Sequence, residues 1–250
     1  MNRLQKKLTH QVLFRADAGP SKLPPLVQLA RQHEVNVTAI RAALAPLVTQ
    51  GLVELRGADG PWLPPLLMRR GVETLALELE AAGSAIERLR PLGSWLQLEQ
   101  SLAVDAFRRA SQLRQLPRDR VLRALDQVVE TVFTQGPPEA LALYRWRGIQ
   151  AAVIAVRCEP LRLLGTSLER SAEHVLPYFA AAMDSQVIVE GVLELQEHLL
   201  HGDASAVAGA VEVQTLRLHA RVLEAARTEV EEREAARQEA ASGTRMLRAS

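Results

Sequence analysis

The chain has 250 residues, of which 48% are hydrophobic, 24% charged and only 4% aromatic, with a single cysteine. That length suits two domains, and a core short of aromatics must be built from Leu, Ala and Val, which favours helix over sheet. The lone Cys158 excludes a disulfide framework and fits a reducing cytosol. No run of ~18 apolar residues marks a membrane span, and the basic first ten residues lack the apolar centre of a secretory signal. A cytoplasmic protein is therefore expected.

Net charge is +1 overall but unevenly spread. Residues 1–70 hold ten lysines and arginines against four acids, hence +6, and the remaining twenty against twenty-five give −5. A small basic domain joined to a larger acidic one is what a DNA reader with a separate sensing module would show. The bland alternative is chance asymmetry on solvated surfaces.

Leu4, Leu8, Val12 and Leu13 recur at helical spacing. Gly19-Pro20-Ser21 then signals a loop. Pro24 and Pro25 sit where a helix can begin, with Leu26, Leu29 and Ala30 as its inner face. Asn36 can cap the next helix, whose inner face is Ala39, Ile40, Ala43, Leu44 and Leu47. Pro46 should bend or loosen that helix, and Gly51 ends it. Leu52-Val53-Glu54-Leu55 alternates like a strand, and Gly57-Ala58-Asp59-Gly60 turns the chain toward Trp62-Leu63. Pro61, Pro64 and Pro65 form a stiff exit. Beyond it, helices are expected near 66–90, 94–115, 118–133, 139–158, 160–183, 185–201 and 204–233. Pro91-Leu92-Gly93, Leu116-Pro117 and Gly136-Pro137-Pro138 read as loops, and Ser94 and Ser185 as caps. After Glu229 the apolar stripe fades, and a fraying charged tail is expected over 234–250.

The expected fold class is mainly α: a winged helix-turn-helix over 1–65, then an all-helical bundle over 66–233. A helix-turn-helix needs apolar residues to fix two helices and polar ones at the start of the second to meet bases and phosphates. Asn36, Thr38 and Arg41 fall at that start. Arg41 could grip a phosphate or a guanine edge, the latter worth about 1–3 kcal/mol in discrimination. Arg56 and Gly60 would belong to the wing. The candidate DNA-binding set is Lys22, Asn36, Thr38, Arg41, Arg56 and Gly60.

Leu23-Pro24, Leu29-Ala30, Val35-x-x-Thr38-x-x-Arg41-x-Ala43-Leu44, Leu47, Gly51-Leu52-Val53 and Gly60 resemble the winged-helix domain of GntR-type bacterial transcription regulators. The resemblance spans residues 5–63. That family usually carries arginine where this chain has Val27 and Val37, so the resemblance implies weaker binding or a divergent operator. It also implies a salt slope lower by ~0.9 for each phosphate no longer neutralised. Residues 72–230 resemble the helical ligand domain of the FadR subfamily, called FCD, through Pro138-Glu139-Ala140-Leu141, Glu159-Pro160-Leu161 and Gly202-Asp203. Many members of that subfamily bind a metal through an Asp and a His one turn apart plus two later His. Trp146, Gln150, Val192 and Gln214 fall at those positions, and the usual effector-gripping arginine falls near Thr74. The resemblance therefore implies a metal-free pocket without a cofactor.

The six histidines do not restore a metal site. His198 and His201 fall at a helix end and read as solvent-facing, His174 and His219 lie on separate helices, and His10 and His33 belong to the first domain. Trp146, Gln150 and Gln214 are candidate effector-binding residues, the amides hydrogen-bonding a weakly polar ligand and Trp146 stacking on it. Equally, they could satisfy one another in a packed core. The leading expectation is a homodimeric repressor that binds a palindromic double-stranded operator under control of a small molecule, with no enzymatic activity. The alternative is a winged-helix and bundle module that binds a protein partner.

Overall fold

The chain divides into two units, Met1–Gly83 and Ser84–Ser250. The computed structural model describes residues 2–14, 21–56, 60–64 and 71–247. It is mainly α, with a winged helix-turn-helix first and a helical bundle after it.

In the first unit, α1 (Arg3–Leu13) opens with a reciprocal cap: the Asn2 side chain accepts from the Gln5 N–H, and the Gln5 side chain accepts from the Asn2 N–H. Helices α2 (Leu26–Gln32) and α3 (Val37–Thr49) follow. Three short antiparallel strands, β1 (Ser21–Lys22), β2 (Glu54–Leu55) and β3 (Pro61–Leu63), form a sheet with β3 in the middle. Leu8, Leu13, Leu29, Ile40, Leu44, Leu47 and Leu63 meet in one core.

The turn between α2 and α3 is tight. Glu34 takes a left-handed φ of 56°, its N–H reaches the Arg31 carbonyl, and the Val35 N–H reaches Ala30. Helix α3 continues through Pro46, which is exposed on the side opposite the buried Ile40, Ala43, Leu44 and Leu47. Burial along that inner face holds the helix across the missing donor.

Several expectations near the domain junction are corrected. Of the stretch expected as one helix over 66–90, residues 66–70 lie outside the described residues, and the rest holds a 3-10 turn (Val72–Thr74), α4 (Leu75–Ala81) and the start of α5 (Ala85–Ala110). Leu77 of α4 packs on the core of the first unit, which runs to Gly83. The expected loop at Pro91-Leu92-Gly93 lies inside α5. Leu92, Trp95 and Leu96 are buried there, and this burial outweighs the local breaker signal. The cap is Ser84, paired reciprocally with Glu87. Ser94 instead donates back to the Arg90 carbonyl, as mid-helix serines do.

The bundle continues with α6 (Gln115–Phe133), α7 (Pro138–Val156), α8 (Glu159–Ala182), α9 (Ser185–His201) and α10 (Ala204–Leu247). Pro117, expected in a loop, lies in the first turn of α6, where no N–H is needed. Asp184, one residue before the expected Ser185, caps α9 by accepting from the Val187 N–H. Helix α10 runs past its expected end at Arg233 into the stretch expected to fray, which is rich in the helix formers Ala, Glu, Arg and Gln. Trp95 of α5 packs against Trp146 of α7 and Phe179 of α8, with ring centres 5.5 and 5.8 Å away. No helix among the described residues is long and apolar enough to cross a membrane. The loop expected before Ser21, the turn residues Gly57, Ala58 and Asp59, and the exit proline Pro65 lie outside the described residues.

Candidate nucleic-acid interface and ligand cavity

The inner residues of α3 leave Thr38, Arg41, Ala42, Ala45, Pro46 and Thr49 exposed on its other side. This surface carries one charge among small side chains, so the helix backbone can approach a groove closely. The side chains of Thr38 and Arg41 make no hydrogen bond or ion pair with any described residue. Asn36 is exposed, but its side-chain oxygen accepts from the Ala39 N–H at 2.7 Å and is committed to capping.

The sheet adds two further cations, Lys22 and Arg56. Lys22 of β1 and Glu54 of β2 both stand opposite Trp62 of β3 in the antiparallel register, which puts the three side chains on one face. The Lys22 ammonium lies 4.6 Å from the centre of the Trp62 ring and the Arg56 guanidinium 4.8 Å. Arg56 also pairs with Glu54 at 2.6 Å. Trp62, which ties both cations to the sheet, was not singled out by sequence reasoning; its place opposite a lysine on paired strands is visible only once the register is known.

Gly60, expected among the DNA contacts, is instead buried, with φ 82°. A Cβ there would stand 3.3 Å from Pro25 Cα. The residue shapes the wing and does not present a surface. Of the two positions where the resembled family carries arginine, Val27 is 56% exposed, while Val37 is partly buried against the core.

In the second unit a cavity of about 600 Å³ opens among α5, α6, α7, α9 and α10. Its walls include Ala103, Phe107, Leu125, Val128, Ile149 and Leu195, with Arg145, Gln214 and Thr215 as polar members and Asp184, Glu190, Glu194, Arg217 and Arg221 also lining it. This volume is in the range of small-molecule sites.

The three expected effector residues separate. Gln214 lines the cavity, where its amide donates to the Gly191 carbonyl at 2.7 Å. Gly191 makes room for it, since a Cβ there would stand 2.7 Å from Gln214 Cδ. Trp146 and Gln150 do not line the cavity; both donate to the Glu169 carboxylate of α8. The residues of α7 that do line it are Arg145 and Ile149. The expected pair is thus one residue, or about 100° of helix rotation, away from the cavity wall.

Sequence reasoning also missed the polar centre beside the cavity. Glu99 of α5 is fully buried, with its carboxylate 2.7 Å from the Arg145 guanidinium and 2.7 Å from His219 Nε2. Burial by itself would push the Glu99 carboxyl up, but the charge of Arg145 and the hydrogen bond with His219 outweigh it and hold the group below its ordinary range. Arg145 lies over the Phe179 ring as well, 5.0 Å from its centre. Near the cavity, Asp184 pairs with Arg221 at 3.3 Å, and the Val187 N–H followed by Arg221 keeps its carboxyl low. His198 is partly exposed and His201 exposed, the latter on the Glu197 carbonyl. Among the described residues no group of three or more His, Cys, Asp or Glu is placed to hold a metal ion.

No protein-family description and no curated protein matches the sequence. Solved structures resemble it at low identity. Lar of Listeria monocytogenes, described as controlling expression of the agr system and mediating virulence, aligns with a TM-score of 0.51 and 12% identity over 88% of this chain and 95% of that one. Streptococcus agalactiae GntR gives 0.44 and 17% over 87% and 97%. A GntR-family transcriptional regulator from Pseudomonas syringae pv. tomato gives 0.46 and 13% over 90% and 86%. What the chain shares with Lar is its architecture, a winged helix followed by a helical bundle.

Proposed function

We propose that the chain is a DNA-binding transcription regulator of the GntR type, of the FadR/FCD subfamily with its metal ligands replaced. It acts as a homodimeric repressor on a palindromic operator, not as an enzyme, and is controlled by a small molecule held without metal in the bundle cavity. The observation that carries this reading is the exposed start of α3, where the side chains of Thr38 and Arg41 are unengaged beside first-turn N–H groups that have no acceptor within the helix. Lys22 and Arg56, tied to Trp62, add sequence-independent phosphate contacts. Two copies related by a two-fold axis would present two such helices to paired half-sites.

Fluorescence anisotropy with DNA from the chain's own promoter region and with a scrambled duplex, over a salt series, tests the reading. A preference for the promoter duplex that Arg41→Ala reduces is the expected result. Equal binding of both duplexes, or none, would favour the second reading, a module that binds a protein partner. The apolar, 56% exposed Val27 at the start of α2 is the observation on that side.

A further inference from the structure

We infer that the bundle cavity takes an uncharged amphiphile, an apolar body bearing a carbonyl-type acceptor, in preference to an organic anion. The inference rests on reading the cavity as the effector site and names the chemistry of what enters it.

The walls set the apolar body: Phe107, Leu125, Ile149 and Leu195 line the space. Polar recognition falls to Arg145 and Gln214. Arg145 looks at first like an anion trap, but its charge is already matched. Glu99, with no exposure at all, holds its Nη2 at 2.7 Å, and His219 holds the other Glu99 oxygen. A ligand carboxylate would share one guanidinium with a second carboxylate that is fully buried and cannot leave. A ligand carbonyl meets no such opposition. It accepts from the guanidinium N–H groups that Glu99 leaves free and adds no charge.

The rest of the lining points the same way. Gln214 is neutral, and its amide is tied to the Gly191 carbonyl. Asp184 and Arg221 neutralise each other. Among the remaining lining charges Glu190 and Glu194 outnumber Arg217, and these exposed groups add a small, solvent-screened repulsion toward an anion.

The test uses the full chain and matched carboxylate and carboxamide pairs with naphthyl, adamantyl and octyl bodies, titrated by calorimetry above neutral pH. The carboxamide of at least one pair should bind about tenfold or more tightly than its carboxylate, the scale of a single pK unit of charge interaction. Glu99→Gln, which uncovers the guanidinium, should shrink or reverse that preference. Should this variant not fold, Glu99→Gln combined with Arg145→Gln removes both buried charges and should weaken the carboxamide while narrowing the gap. A carboxylate that binds better than its amide overturns the inference, as does a preference unmoved by either variant. Binding of no member of any pair also overturns it, and leaves the DNA-binding reading to the anisotropy experiment.

Discussion

His219 and Glu99 lie 120 positions apart in the chain, yet Nε2 of one stands 2.7 Å from the carboxylate of the other inside the bundle. With Arg145 they form a buried charged centre that joins α5, α7 and α10. Removing one partner of such a centre leaves an uncompensated charge, which costs far more than the intact group contributes.

Acid should therefore loosen the bundle. Glu99 is held below its ordinary value of 4.5 in the folded chain. Its contribution is fully present above the unfolded value and is lost as pH falls through the lowered folded one. Glu99→Gln should cost about 3–5 kcal/mol at neutral pH and flatten the acid limb of the stability curve. Urea midpoints measured from neutral pH down through the carboxylate range check both. An unchanged acid limb in the variant would remove Glu99 from the explanation.

This centre shows what the sequence conveyed and what it did not. The helix-turn-helix was legible because it is local: Asn36 caps, and Ile40, Ala43, Leu44 and Leu47 repeat on one face within a single helix. The cavity was not legible, because its wall is set by the rotation of α7 against four other helices. A reading one residue out selects Trp146 and Gln150, which face Glu169, and misses Arg145 and Ile149. Pro91 misled for a similar reason. Its breaker signal is local, whereas burial of Leu92 and Trp95 against distant helices keeps α5 continuous.

Asn36 should prove to be a stability residue first. Its side chain accepts from the Ala39 N–H, so Asn36→Ala should cost about 1 kcal/mol while Asn36→Ser restores most of it. Thermal unfolding of the full chain reports the first effect, and anisotropy at a temperature where both variants are folded separates it from any effect on base recognition. Weak DNA binding by a fully stable Asn36→Ser would instead assign the side chain to recognition.

Glu34 and Gly60 should respond in opposite directions. Both have positive φ, 56° and 82°, but only Gly60 is free of the Cβ penalty. Glu34→Gly should stabilise the first unit or leave it unchanged, within about 1 kcal/mol. Gly60→Ala should destabilise it by about 1–2 kcal/mol, because the backbone is strained and the new Cβ crowds Pro25. Denaturant midpoints of the two variants against the parent decide this. A Gly60→Ala chain as stable as the parent would mean that the wing relaxes around the substitution.

The Trp62 cluster should act on affinity without acting on sequence choice. Lys22 and Arg56 are oriented by the ring between them in the register of the sheet. On the proposed reading each meets a phosphate, so Lys22→Ala and Arg56→Ala should each lower the salt slope of DNA binding by about 0.9 and weaken promoter and scrambled duplexes alike. Trp62→Ala keeps both charges but removes the surface that aims them. It should weaken binding to both duplexes with a smaller change in slope, and lower stability by about 0.5–1 kcal/mol for each cation released. If Arg56→Ala altered the preference between duplexes, Arg56 would be reading base edges and not the backbone.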